Sequence, residues 1–188
     1  MDRFLLVLAA LARGLGALLY RLAGSRRKVG LRNLALCFPD MPLRQREVQA
    51  VGRLDHDTTG LLLLTDAGDL LHRVISPKRH VAKVYRAGLA RPLTGTEGAL
   101  FASGELVLDG EDKPLAPAVL EVVSPTEALL TVTEGRYHQV RRMFAAAGNH
   151  VETLHREQLG GLVLPADLAP GQWRLATADE VAAWARGL

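Results

Sequence analysis

Two acids and two hydroxyls crowd one short stretch, residues 52–60, which reads Gly-Arg-Leu-Asp-His-Asp-Thr-Thr-Gly and leads directly into an apolar run at 61–64. A turn beside a buried strand can hold a side chain rigidly at the edge of a cleft. A carboxylate held there can act as a nucleophile or as a base, so Asp55 and Asp57 are both candidates. The same residue types also suit a hydrogen-bonded Asx turn without catalytic function.

A second stretch, residues 73–91, is strongly basic. It contains six Lys or Arg residues and no acid, and it includes the tripeptide Lys83-Val84-Tyr85. Local positive charge of this kind can bind the phosphates of RNA. The spacing of these basic residues, taken alone, favours a basic surface that is only solvated and binds no partner.

A third stretch, residues 134–143, reads Glu-Gly-Arg-Tyr-His-Gln-Val-Arg-Arg-Met. It opens a predicted helix whose apolar side repeats at helical spacing. The other side offers arginines, rings and an amide that can hydrogen-bond to the edge of a base. The alternative is an ordinary surface helix with a charged face.

A mixed fold must position these three stretches. Alternation and turn signals predict strands at 60–65, 82–90, 118–123 and 128–133. Helical periodicity predicts helices at 67–75 and 137–147, and capping-box spacing marks helix starts at 94–97 and 177–180. The pattern predicts an α+β fold with a mixed, mostly antiparallel sheet and flanking helices.

The charge distribution divides the 188 residues into two pieces. Residues 1–50 contain nine basic and three acidic side chains, net +6, whereas 51–188 contain 14 and 17, net −3. We therefore predict a boundary between Ala50 and Val51. The single cysteine, Cys37, excludes a disulfide framework and a cysteine-based zinc site, and we predict no metal site. The 48% hydrophobic content excludes general disorder.

The first piece carries an apolar segment at 4–23, interrupted by Arg13 and Arg21 and followed by basic residues at 26–28. This pattern predicts an apolar helix that lies at a membrane surface or marginally spans the membrane. A signal peptide and an ordinary buried helix with a basic tail are the alternatives. The stretch Arg-Asn-Leu-Ala-Leu-Cys-Phe-Pro-Asp at 32–40, with residues 26–29 before it and 44–47 after it, makes residues 1–50 resemble the amino-terminal segment of bacterial lipid A acyltransferases of the lauroyl type. The catalytic histidine motif of that family is not carried over, because residues 1–50 contain no histidine.

The second piece resembles a different family. The order Gly-Arg-Leu-Asp-x-Asp-Thr-Thr-Gly-Leu, then Lys-x-Tyr, then Glu-Gly-Arg-Tyr-His-Gln-Val-Arg-Arg-Met-Phe is similar to the RsuA family of pseudouridine synthases. The resemblance covers residues 51–184 and is greatest to members that modify small-subunit 16S ribosomal RNA. It implies the catalytic fold of that family and the isomerisation of one uridine to pseudouridine, a step of bacterial ribosome biogenesis.

The resemblance also assigns residues. The essential aspartate of the family falls on Asp55, its active-site tyrosine on Tyr85, and the basic residue that pairs with the aspartate on Arg141, whereas Asp57 becomes structural. The residues that bind RNA or shape the site would be Arg53, Thr59, Lys83, His138, Gln139 and Arg142. The resemblance implies no cofactor, ribosomal RNA as the partner, a monomer and a cytoplasmic location.

Relative to that family, we expect the catalytic domain, 51–188, to lack its first segment and the small RNA-binding module that precedes it. Residues 1–50 would then be a chimeric or mispredicted start. Two alternatives to an enzyme follow. One is a catalytically impaired remnant that binds RNA, and the other is a membrane-associated fragment of a lipid A acyltransferase.

Overall fold

The computed structural model describes residues 49–65, 72, 74, 76 and 79–186. These residues belong to one compact unit, Val48–Leu188. The predicted apolar helix at 4–23 and most of the predicted helix at 67–75 lie outside the described residues. In the described part of the chain, no helix is long and apolar enough to cross a membrane.

A six-stranded sheet forms the centre of this unit. Its strands are β2 (Thr58–Gly60), β4 (Lys83–Leu89), β5 (Val119–Ser124), β6 (Glu127–Val132), β7 (Val151–Leu159) and β8 (Leu162–Val163). The order is β2-β7-β4-β6-β5, with β8 also paired to β7. Only the pairing of β2 with β7 is parallel. The predicted α+β fold with a mixed, mostly antiparallel sheet is confirmed.

The sheet strands with clear sequence signals form close to where they were expected. Strand β4 matches the prediction at 82–90, and β5 and β6 form the predicted hairpin around Pro125 and Thr126. Alternate residues of β6 are buried, including Leu130 and Val132, as expected for a strand with one face on a core. In the part of the sheet formed by β4, β5 and β6, the strands therefore form where the alternation of apolar and polar residues predicted them.

Among the residues that the structure describes, the helices with defined bounds that flank the sheet are α1 (Glu97–Ala102), α2 (Gln139–Ala146) and α3 (Ala178–Arg186). Helix α2 buries Val140, Met143 and Phe144, the apolar positions that helical spacing predicted. The chain leaves the helix at Gly148, whose φ of +77° is the left-handed conformation that glycine adopts without steric cost. The predicted helix and its stop signal are thus confirmed.

The two predicted capping boxes differ in outcome. Before α3, the Glu180 amide donates to the Thr177 hydroxyl at 3.2 Å and the Thr177 amide donates to the Glu180 carboxylate at 2.7 Å. Before α1, the Glu97 carboxylate accepts the Thr94 amide at 2.9 Å, but the Thr94 hydroxyl bonds to Thr96 instead of the helix. The capping box before α3 is therefore complete, and the capping box before α1 is only half formed.

The prediction of one buried strand over 60–65 is wrong. Strand β2 ends at Gly60, and Leu64–Thr65 forms a separate strand, β3, that pairs with β1 (Gln49–Ala50). Gly60 has a φ of +108°, and a Cβ there would overlap the backbone of Arg156. The close approach of β7 requires glycine at this point and turns the chain out of the main sheet.

Two hydrophobic clusters pack beside the sheet. The larger cluster joins β4, β6, β7 and both α1 and α2, with Phe101 and Phe144 in an edge-to-face contact at 5.2 Å. The smaller cluster includes Val51, Leu159 and Trp184. The loop from β1 to β2, which carries the first candidate motif, leads from the smaller cluster to the edge of the main sheet.

Candidate active site

A cavity of about 340 Å³ lies between the two hydrophobic clusters. Five of the predicted site residues line it: Arg53, Asp55, Lys83, Tyr85 and Gln139. Four do not: Thr59, His138, Arg141 and Arg142. The three candidate motifs therefore converge on one cavity. Among the residues that the structure describes, no three His, Cys, Asp or Glu side chains are grouped so as to hold a metal ion.

Asp55 lies in the loop between β1 and β2. The Thr58 amide donates to the Asp55 carbonyl at 3.0 Å and closes a tight backbone turn. The Asp55 carboxylate is half-buried, and its Oδ1 lies 3.7 Å from Nε2 of His138. Asp57, two residues later, does not line the cavity and is 59% exposed. The turn thus separates the two acids, and Asp55 is the one at the cavity.

The predicted pair between Arg141 and Asp55 is not formed. Arg141 Nη2 lies 2.9 Å from Oδ2 of Asp57, and the guanidinium also donates to the carbonyls of Asp57 at 3.2 Å and of Val151 at 2.6 Å. The Val151 carbonyl fixes the guanidinium at the start of β7, and the turn presents Asp57 on that side. Arg141 therefore anchors the loop that carries Asp55 without contacting its carboxylate.

Lys83 and Tyr85 lie two residues apart on β4, so both face the cavity. Tyr85 is half-buried and packs against the larger hydrophobic cluster. Lys83 Nζ donates to the carbonyls of Val81 at 3.1 Å and Glu134 at 3.4 Å. Burial and the nearby Arg156 guanidinium lower the Lys83 pKa, and Glu134 opposes them.

The lowered Lys83 pKa predicts a pH-dependent stability. Between that pKa and the ordinary value of 10.5, unfolded Lys83 holds a proton that native Lys83 has released. The free energy of unfolding should therefore gain a contribution that increases as the pH rises through this window. Lys83→Met should abolish this contribution, measured as the difference between the urea unfolding curves of the two proteins over the alkaline range. An identical alkaline increase in both would contradict the prediction.

Gln139, which was predicted to bind RNA or shape the site, makes hydrogen bonds within the protein. Its side-chain amide donates to the Glu134 carboxylate at 3.0 Å, and its side-chain oxygen accepts the Arg136 amide at 2.9 Å. The Glu134 carboxylate also accepts the Ala116 amide at 3.0 Å. These bonds fix the Glu-Gly-Arg stretch along one wall of the cavity.

Two other predicted residues are engaged in internal contacts. Arg142 donates to Glu111 Oε1 at 2.8 Å and to the Asp109 carbonyl at 2.6 Å. It is the main cause of a lowered Glu111 pKa. The hydroxyl of Thr59 lies 2.7 Å from Nδ1 of His155 and faces away from the cavity lining. Arg142 thus holds the loop that contains Asp109 and Glu111, whereas Thr59 joins strand β2 to strand β7.

Arg156 is a site residue that the sequence reasoning missed. It lines the cavity and is only 2% exposed. Its Nε donates to the Leu61 carbonyl at 2.8 Å and its Nη1 to the Arg53 carbonyl at 3.3 Å. The sequence pattern that could have identified it is its position two residues after Leu154 on β7. Alternate residues of a strand share a face, so this spacing places an arginine on the same face as an apolar residue. Arg156 thus holds the backbone on both sides of Asp55, at Arg53 and at Leu61.

Comparison with known proteins identifies relatives of this chain. The family model for RNA pseudouridylate synthases matches residues 38–146, beginning ahead of the boundary predicted at Ala50/Val51. The ribosomal small subunit pseudouridine synthase A of Escherichia coli strain K12 is 51% identical over 147 residues, which cover 78% of this chain and 63% of that protein. Its counterpart from Salmonella typhimurium is 48% identical over the same shares.

A crystal structure of a pseudouridylate synthase is also similar, with a TM-score of 0.75 and 45% identity, covering 80% of this chain and 64% of that one. The chain thus spans a little under two thirds of the length of these relatives. The resemblance of residues 1–50 to acyltransferases stays a prediction. Because the family model matches more than half of the chain and the relatives share about half of their aligned residues with it, the chain belongs to the RsuA family of pseudouridine synthases.

Proposed function

We propose that the chain converts one uridine of small-subunit 16S ribosomal RNA to pseudouridine. The observation that carries this proposal is the placement of Asp55 at a cavity that it shares with the half-buried ring of Tyr85. The substrate follows from relatives named as ribosomal small subunit pseudouridine synthases. The same relatives favour an enzyme over an RNA-binding remnant or an acyltransferase fragment.

The reaction is an isomerisation. The bond between C1′ of the ribose and N1 of uracil breaks, and a bond from C1′ to C5 forms. C5 loses a proton and N1 gains one, so the atoms balance without a second substrate or a redox cofactor. The protein must bring a carboxylate to the ribose, retain the detached base and exchange protons.

The cavity residues match these requirements. Asp55 would act on the nucleotide as a nucleophile or as a base. The Tyr85 ring would stack on the uracil and retain it between bond cleavage and re-attachment. A volume of about 340 Å³ is sufficient for one base that has left its stack. The exposed Arg53 at the rim would bind a flanking phosphate.

Ribosomal RNA as the substrate leads us to propose a cytoplasmic enzyme that acts as a monomer. Contact with a membrane through residues 4–23 is a separate proposal, which rests on their sequence alone.

The direct test is incubation of the full chain with a 16S RNA transcript and with small-subunit precursor particles, followed by mapping of pseudouridine. We expect one position to be converted in a time-dependent manner. RNA binding that weakens with salt, without any pseudouridine, would overturn the enzymatic proposal and favour an RNA-binding domain.

A further inference from the structure

Tyr137 is an exposed aromatic residue at the edge of the cavity. Its side chain lines the cavity, and yet the residue is 69% exposed. Neither of the two hydrophobic clusters of the described residues includes it. An aromatic ring that is open to solvent beside a cavity is available to contact a molecule that enters the cavity.

The ring is held in a fixed orientation. Tyr137 and His138 stack with their centroids 3.9 Å apart and their planes 14° apart. His138 has a φ of +48°, an uncommon conformation for a residue with a side chain, and its ring lies 3.7 Å from the Asp55 carboxylate. The Tyr137 carbonyl also accepts a hydrogen bond from Arg142 at 3.2 Å. One ring face therefore covers His138, and the high exposure leaves the other face open.

We propose that the open face of Tyr137 stacks on an unpaired base of the RNA next to the uridine that enters the cavity. This inference rests on the proposed function. A uridine that leaves its stack deprives its neighbour of a stacking partner. An oriented ring at the cavity edge can replace that partner, and stacking is favourable for every base.

The position of the ring favours a nucleobase over a protein or lipid partner. One ring offers too small an apolar area for a stable protein interface. The cavity edge also includes Arg53, an exposed cation suited to the phosphate of the same nucleotide. Ring and cation together form a binding site for single-stranded RNA.

The test compares the full-length wild type with Tyr137→Ala and Tyr137→Phe, using a 16S RNA transcript as the probe. We expect Tyr137→Ala to weaken equilibrium binding about 10-fold, the effect of one lost stacked base. Tyr137→Phe should restore most of the affinity, because it keeps the ring. Leu175→Ala is the matched control, since Leu175 is 70% exposed and does not line the cavity.

A second measurement separates stacking from a structural effect on the site. If Tyr137 only shields the contact between His138 and Asp55, its loss would lower kcat and shift the pH profile. If it stacks on RNA, the loss would raise KM, and a fluorescent purine analogue beside the target uridine would lose its stacking-induced quenching. Equal RNA binding by wild type and Tyr137→Ala would overturn the inference. This result is distinct from an absence of pseudouridine with the wild type, which would overturn the proposed function.

Discussion

Asp55→Asn is expected to reduce the rate of pseudouridine formation by about 1,000-fold, the scale of losing a nucleophile or general base. Among the described residues that line the cavity, two carry carboxylates, Asp55 and Glu134. The Glu134 carboxylate is occupied by hydrogen bonds from Ala116, Arg136 and Gln139. Among the residues that the structure describes, the Asp55 carboxylate has one charged partner, His138 Nε2 at 3.7 Å, so its oxygens remain available to the substrate. Single-turnover assays on 16S RNA measure the rate.

The matched control is Asp57→Asn. It removes the same charge two residues away, but Asp57 lies outside the cavity lining and pairs with Arg141. Because Asp57 is 59% exposed, losing this pair should cost about 1 kcal/mol or less in stability. We expect the rate to change only a few-fold. A reversed result, with a slow Asp57 variant and a fast Asp55 variant, would move the catalytic function to Asp57.

These two acids illustrate what sequence can and cannot provide. The motif places both carboxylates in one turn, and their types alone allow either to be catalytic. The hydrogen bond from the Thr58 amide to the Asp55 carbonyl decides which one faces the cavity. The orientation of this turn relative to the cavity also depends on Arg141 and Arg156, which donate to the carbonyls of Asp57 and Arg53 from 84 and 103 residues later in the chain, and local spacing does not contain these contacts.

The fold shows the same division. Helix α2 and the hairpin of β5 and β6 were predictable because their patterns arise from neighbours in the chain. The end of β2 at Gly60 was not, because the close approach of Arg156 ends it. Likewise, the charge of Arg142 suggested RNA contact, whereas the fold brings Glu111 within 2.8 Å of it. Charge identifies a residue that can bind a partner but does not identify the partner.

Arg156→Met should affect stability and catalysis together. The guanidinium donates to the carbonyls of Leu61 and Arg53, which lie on either side of Asp55 in the sequence. Two buried hydrogen bonds from a charged donor, partly offset by its desolvation, predict a loss of about 3 kcal/mol in the free energy of unfolding. Release of the loop would misplace the carboxylate by about 1 Å, which costs about 100-fold in kcat.

Arg156→Lys separates the effect of the positive charge at this position from the effect of the hydrogen bonds to two carbonyls. The Arg156 charge lowers the Lys83 pKa, so the Met variant should raise that pKa and the Lys variant should leave it low. Lysine cannot hold both carbonyls with the planar geometry of a guanidinium, and so kcat should fall in both variants. Urea unfolding would measure the loss of stability, and kinetics would measure the loss of kcat. Hydrogen exchange at the Leu61 amide, which donates to the Arg156 carbonyl, would measure the release of the loop.

An arginine at the surface, Arg174, serves as the control for the effect of burying Arg156. Arg174 forms an ion pair with Glu180, with Nη2 2.6 Å from Oε1, and lies outside the cavity lining. Arg174→Met should therefore lower the free energy of unfolding much less than Arg156→Met does, and it should leave kcat unchanged. If Arg156→Lys kept the wild-type kcat, the charge alone would be sufficient at this position, and the two-carbonyl contact would not be what positions Asp55. Because the Lys variant retains the buried charge and a long side chain, this conclusion does not depend on whether the Met variant folds.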